Sequence, residues 1–380
     1  MFAWSGVGVA QTADGLTPRE QELLKRIETL EQRVSDLEKR LEARTKAPKP
    51  NLELQDRVSK LEQAMDEKGE KDTDLSVYWK EGLRFESEDG AFKLQIGGRI
   101  YNDYAWFDQD VDTWLRHDLQ DGAEFRRAKL SLSGQVYEHI AFEAEYDFAG
   151  GEAQFKDVWI AVRDIPVAGT LKVGHFKEPF SLEELTSSRY TTFMERALPN
   201  VFAPARNTGV MLTNDPLNKR LTWAAGLFRH DTDDFGNQAD EDSGWNVTAR
   251  LTGLPWYEEE GRKLLHLGFA WSHQNPDRGD FRYRQQPESH LADVCLVDTS
   301  WRAPARIRAD QIDLYGVEAA LVYGPFSLQG EYIYSDVDAA WAFGQLDFEG
   351  YYLQASYFLT GEHRPYSTTC LLYTSPSPRD

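Results

Sequence analysis

The sequence predicts an all-β protein, a transmembrane antiparallel β-barrel, preceded by an α-helical coiled coil. Three observations predict it. From about Leu75 onward apolar residues recur with a period of 2, in ladders of about 9 to 11 residues whose polar faces carry charge. The same zone holds 46 of the 48 aromatic residues, many near ladder ends, where interfacial girdles require them. Tight turns such as Tyr323-Gly324-Pro325-Phe326 alternate with long polar connections, His230 to Gly244 and Asn275 to Asp310. No apolar run reaches the roughly 18 to 20 residues that a spanning helix needs, whereas strands can span with alternating residues.

Composition narrows the function classes. A formal charge of −21 over 380 residues speaks against a nucleic-acid partner, because a polyanion is met by a basic face. Two cysteines, Cys295 and Cys370, exclude a disulfide scaffold and a thiolate metal cluster.

In chain order, residues 1–10 form an apolar stretch with small residues at Gly8 and Ala10, the expected remnant of a secretory signal. Residues 17–74 lack aromatics and read as helix. Leu23, Ile27, Leu30, Val34, Leu37 and Leu41 alternate in steps of four and three, which sets all six on one heptad seam. Thr17, Pro18 and Glu20 make a capping-box start. Pro48 and Pro50 break the pattern, and Leu54, Val58, Leu61 and Met65 resume it. So polar a helix is marginal alone in water, and the seam predicts self-association.

Residues 75–366 carry the barrel ladders. Leu130, Leu132 and Val136 share one face, with Lys129, Ser131, Ser133 and Gln135 on the other. Phe142, Ala144, Tyr146 and Phe148 alternate with Glu143, Glu145 and Asp147. Val158, Ile160 and Val162 form another ladder, as do Leu265, Leu267, Phe269 and Trp271. Further ladders run through Val247 to Leu251, Val317 to Tyr323, Phe326 to Tyr334 and Tyr351 to Leu359.

No catalytic constellation is present: the eight histidines are scattered, and nucleophile elbow, P-loop and dinucleotide fingerprint are all missing. Neither an enzyme nor a cofactor is expected. The acidic run Asp231, Asp233, Asp234, Asp240, Glu241 and Asp242 lacks EF-hand spacing and reads as a solvated loop. From residue 75 onward there are 21 Arg against 8 Lys, although acidic residues outnumber both together. Arginine's planar fork matches phosphate and carboxylate, so arginines facing a pore would select anions.

Four stretches carry a resemblance. Phe92-Lys93-Leu94-Gln95-Ile96-Gly97-Gly98-Arg99, then Glu124-Phe125-Arg126-Arg127-Ala128-Lys129-Leu130, then Leu171 to Lys177 leading to Thr186-Ser187-Ser188-Arg189 and Met194-Glu195-Arg196, and finally Tyr357 to Glu362, resemble the phosphate-selective porins of the O and P type in the same order. The similarity covers about residues 78 to 366. It implies a homotrimer of sixteen-stranded barrels in the bacterial outer membrane, a loop folded inward to narrow the pore, and an arginine-lysine ladder guiding small anions such as phosphate. The family's Gly-Gly-Arg arginine falls on Arg99 and its paired arginines on Arg126 and Arg127. Strict alternation puts Arg127 and Lys129 in the lumen and Arg126 outward, unless the strand bulges there. The competing expectation is that these arginines pair with Glu143 or Glu145 on the next strand.

Two departures stand out. Where phosphate-specific members have Phe-Gly-Leu-Glu-Lys, this chain has Phe180-Ser181-Leu182-Glu183-Glu184, which puts a carboxylate in place of a cation. Where they carry an aspartate it has Lys156, before Asp157; Lys156, Lys177 and Arg189 are the residues that could compensate. Residues 367–380 match nothing in the family and are expected to be a non-native tail on an incomplete barrel, with fewer than sixteen strands. The resulting expectation is an anion-diffusion porin with the coiled coil in the periplasm, where the cell wall is a candidate partner. The alternatives are a general or sugar-permeable porin, and an envelope tether anchored by the barrel.

Overall fold

The computed structural model describes residues 18–45, 75–108, 119–237, 244–276, 280–292, 294–299, 307–339, 344–368 and 372–373. The expected signal remnant, the Pro48–Pro50 break, the second heptad stretch, Cys370 and the last seven residues of the expected tail lie outside them. The chain forms two compact units, residues 1–72 and 73–380.

In the first unit, helix α1 spans Pro18–Thr45, with the proline at its first position. Ile27, Leu30, Val34 and Leu37 are each at least half exposed, so the seam forms an uncovered stripe along the helix.

The second unit is an antiparallel meander: β1 (Leu75–Trp79), β2 (Leu83–Ser87), β3 (Phe92–Ala105), β4 (Gly122–Val136), β5 (Ile140–Asp147), β6 (Gln154–Ile165), β7 (Gly169–Lys177), β8 (Arg206–Asn214), β9 (Leu221–Arg229), β10 (Trp245–Glu258), β11 (Lys263–Gln274), the short β12 (Asp280–Phe281), β13 (Arg284–Gln285) and β14 (Val297–Asp298), then β15 (Ile307–Tyr323), β16 (Phe326–Ala339) and β17 (Gly344–Tyr357). Fourteen of these pair in series, β1 through β11 and then β15 to β17, and β12 adds to β15. Several strands exceed the expected length, reaching 17 residues in β15. At about 3.3 Å per residue such strands overshoot the roughly 25 Å apolar band of an outer membrane even when tilted.

Polarity is inverted relative to a water-soluble sheet. The outer face exposes Ile160, Val173, Val210, Leu227, Leu251, Leu267, Phe269 and Val317, while Thr248, Arg250, His266, Ser272, Glu318, Gln329 and Glu331 are buried within. Only a lipid surround makes that arrangement favourable. Tyr137, Tyr323 and Tyr357 are exposed at the tight-turn end, and Tyr104, Trp106 and Trp245 towards the other.

The longest structured connection, residues 178–205 between β7 and β8, turns inward and carries a one-turn helix, α2 (Leu182–Leu185). It touches strands towards both ends of the strand order, β3 and β17. Arg99 on β3 donates to Ser187 Oγ at 3.1 Å, and Phe202 packs on Phe348 of β17 with ring centroids 6.4 Å apart. The sheet therefore curls round this segment, and one side of the lumen is filled. Phe180 and Phe202 pack with Phe281, Tyr283, Leu314 and Ile333, and Leu182 packs with Leu254, Leu264, Val322 and Tyr366. Gly316 permits this approach, since a Cβ there would lie 3.0 Å from the Phe180 ring. Within the long polar connection at 275–310, Phe281 and Tyr283 are buried in this cluster; two aromatics among arginines and glutamines escape a periodicity test.

Phe180 is fully buried. Phe180→Ala is expected to cost about 3–5 kcal/mol, read as a lower urea midpoint for unfolding of the detergent-folded protein.

Candidate functional site

On the unfilled side of the barrel, between the inward segment and the β3–β9 wall, lies a cavity of about 830 Å³. All seven cations expected at the pore line it: Arg99, Arg126, Arg127, Lys129, Lys156, Lys177 and Arg189. Sequence reasoning passed over Arg163, Lys172, Arg196, Arg206 and Arg250, which line it too. Lys172 and Arg250 follow the inward phase of their strands and could have been found by strict alternation; Arg196 and Arg206 depend on how the inward segment folds. A second cavity of about 360 Å³ shares Lys156 and Arg206 with the first, so the two cations stand where the compartments meet.

The wall explains how two consecutive arginines reach one lumen. Tyr101 on β3 pairs with Arg127, but Asn102 pairs with Phe125, leaving Arg126 as an extra residue in β4. This bulge corrects the strict-alternation expectation that Arg126 points outward, because an inserted residue resets the alternation. Phe125 remains 62% exposed on the outer face, while Arg127 is 8% exposed.

Most of these cations have carboxylate partners. Arg99 Nη2 lies 3.3 Å from Glu145, the wall pairing anticipated for the arginines, and Lys129 Nζ lies 2.6 Å from the same carboxylate. Arg126 and Arg127 instead reach Glu195 on the inward segment, at 2.5 and 3.4 Å. Arg206 pairs with Asp157 at 2.5 Å. Lys156 donates to Gln154 Oε1 at 2.8 Å, and Arg189 to the Gly98 carbonyl at 3.0 Å. Lys172 sits 4.1 Å from the Trp159 ring centroid.

Glu184 organises the inward segment. Its carboxylate lies 3.0 Å from Lys177 and 3.3 Å from Arg196, and accepts from Asn200 at 2.8 Å. Arg196 also donates to the carbonyls of Glu183, Glu184 and Thr186, closing the C-terminal end of α2. At the other end Glu331 of β16 accepts from the backbone N–H groups of Leu182 and Glu183, at 3.0 and 2.7 Å. Burial pushes the Glu184 carboxyl up, but the Arg196 and Lys177 charges together with Asn200 outweigh it and bring it down to about 2. Glu195 follows the same pattern: burial raises it, while the Arg126 hydrogen bond and the two guanidinium charges hold it lowered.

In the acidic loop, Asp233 accepts from the backbone of Phe235 and Asn237, and Asp234 from Gln154. Asp240, Glu241 and Asp242 lie outside the described residues, and among the described residues no group of three or more His, Cys, Asp or Glu could hold a metal.

The family model of the phosphate-selective porin O and P matches residues 94–375. The chain belongs to that family. Porin O of Pseudomonas aeruginosa is 28% identical over 331 residues, covering 81% of this chain and 73% of that protein. An uncharacterized protein of Caulobacter vibrioides is 29% identical over 392 aligned residues, 97% of this chain and 76% of its own. Among solved structures, a loop-deletion mutant of OmpT, an outer membrane protein of Vibrio cholerae, superposes with a TM-score of 0.44 at 12% identity, over 71% of this chain and 78% of that one. The protein is an outer-membrane porin, and its family is one of channels.

The lowered carboxyl of Glu184 ties the porin's inward segment to pH. A carboxylate with a depressed folded value contributes its full stability above pH about 4.5 and loses it as pH falls towards about 2. Glu178 and Glu183, pushed up by burial, respond in the opposite direction. The difference between wild type and Glu184→Gln isolates the effect. The variant is expected to be about 3 kcal/mol less stable at neutral pH, with the gap closing between pH 4.5 and 2 in urea unfolding curves.

Proposed function

We propose that this porin is a passive diffusion channel preferring small anions, phosphate among them, over cations. One observation carries the reading. The chain as a whole has 63 acidic and 42 basic residues, yet the main cavity is lined by twelve basic and six acidic side chains. Counting Glu184, Glu195 and Glu318, which pair with lining cations, leaves the cations in excess. Low-dielectric walls focus that excess along the path, lowering the barrier for an anion and raising it for a cation. A channel must release what it binds, so millimolar rather than micromolar occupancy is expected.

The test is the zero-current potential across a planar bilayer in a KCl gradient, followed by phosphate titration of the chloride current. A chloride-ward potential and phosphate block support the proposal; a cation-ward potential sinks it. Lys156, at the junction of the two cavities and held by a neutral glutamine, is the informative position. Lys156→Ala is expected to lower the chloride-to-potassium permeability ratio roughly threefold to tenfold, equivalent to about 1 kcal/mol.

The same reading makes the working unit a homotrimer with α1 self-associating in the periplasm, supported by the exposed seam of Ile27, Leu30, Val34 and Leu37. A cysteine at the seam should face its counterpart in a second copy. Leu30→Cys is expected to form interchain disulfides under mild oxidation on a non-reducing gel, whereas Glu31→Cys, off the seam, should form few.

A further inference from the structure

The bulge in β4 puts two guanidinium groups side by side at the cost of a ladder hydrogen bond. What holds them is not a solute but part of the same chain. Glu195 Oε1 sits 2.5 Å from Arg126 Nε, and Oε2 lies 3.2 Å from Arg126 Nη2 and 3.4 Å from Arg127 Nη2. Arg126 is gripped through both carboxylate oxygens, while Arg127 reaches one oxygen at long range and otherwise lies with its guanidinium carbon 5.4 Å from the Tyr101 ring centroid. One carboxylate is thus stretched over a site with two forks. An oxyanion with three or four oxygens and more than one charge satisfies both forks better than a carboxylate does. Chloride, a single spherical charge, cannot span either fork.

We propose that Glu195 is a tethered competitor for the Arg126–Arg127 fork, displaced by a multiply charged oxyanion but not by chloride. This rests on the anion-path reading and adds to it a residue that sets which anions are passed. Three further features support it. Both arginines line the main cavity, so the fork opens on the solute path. The residues that precede Glu195 stand out from the packed part of the segment, with Phe193 59% and Met194 48% exposed. The rest of the inward segment is pinned independently. Arg364 donates to Thr192 and to the Tyr190 carbonyl, Glu183 accepts from the Ala197 N–H, and Glu331 clamps the start of α2. Displacing Glu195 therefore need not unseat the loop. Being on the same chain, the carboxylate acts at a high effective concentration that a weak monoanion cannot match.

The experiment compares wild type, Glu195→Gln and Glu195→Asp in planar bilayers, using chloride as carrier and inorganic phosphate as blocker. The expected result for Glu195→Gln is a rise in chloride-to-potassium permeability and a roughly tenfold fall in the phosphate concentration that half-blocks the current. Glu195→Asp keeps the charge but draws it back from the fork, so it should fall between the two, and it serves if the neutral variant assembles poorly. Chloride and potassium currents rising in proportion, with half-block unchanged, would mean that Glu195 only pins the loop and would overturn the inference. An anion-preferring wild type with the same half-block in all three variants overturns it alone; a wild type with no anion preference and no phosphate block overturns the proposed function with it.

Discussion

A strand wall in hydrocarbon has to spend its backbone hydrogen bonds sideways, on the neighbouring strands, and the rest of this structure follows from that constraint. The antiparallel meander from β1 to β17 meets it along the wall. The inward segment has no such partners, because the strands around it are already paired to each other. Its polar groups must be met by side chains rising from the wall. Glu331 takes the N–H groups at the start of α2, and Glu178 is met by Asn207 and Asn246 at 2.8 and 2.7 Å and by the Thr248 hydroxyl. The buried polar residues of β8, β10 and β16 are thus the means by which a loop can exist inside a barrel.

The same constraint separates two halves of the lumen. Against β10, β11, β15 and β16 the inward segment turns Phe180, Leu182 and Phe202, and the space closes as an ordinary apolar core. Against β3 to β9 it presents Glu184, Glu195 and Arg196 to a wall of charged residues, and the space stays open. Apolar packing fills one side, and charged side chains line the other. The open cavity is therefore off-centre, bounded on one side by the packed inward segment.

Charge inside that cavity is balanced locally rather than left bare. Glu145 serves Arg99 and Lys129, Asp157 serves Arg206, Glu184 serves Lys177 and Arg196, and Glu195 serves Arg126 and Arg127. A partly desolvated cation without a partner is costly, and these pairs relieve that cost. Three of the four carboxylates serve two cations each, so a net positive field survives the pairing. Glu184, the carboxylate where the resemblance led us to expect a cation, has a structural use here as the hub of the inward segment.

The barrel class, the strand phase and the helix seam could be read from the sequence, because each is a local periodicity: side chains alternate along a strand whatever lies beyond it. Arg99, Arg127 and Lys129 reach the cavity for the same reason, since they share the inward phase of β3 and β4. What alternation could not supply was decided by tertiary structure. The β4 bulge turned Arg126 inward, because register depends on the partner strand and not on the strand itself. Arg206 became part of the neck, and Glu195 became the partner of Arg126 across 69 residues, through the path of a loop whose course no local pattern encodes. Which charges exist was written in the sequence; which of them face each other required the fold, because pairing in a lumen is set by where a chain returns and not by its spacing.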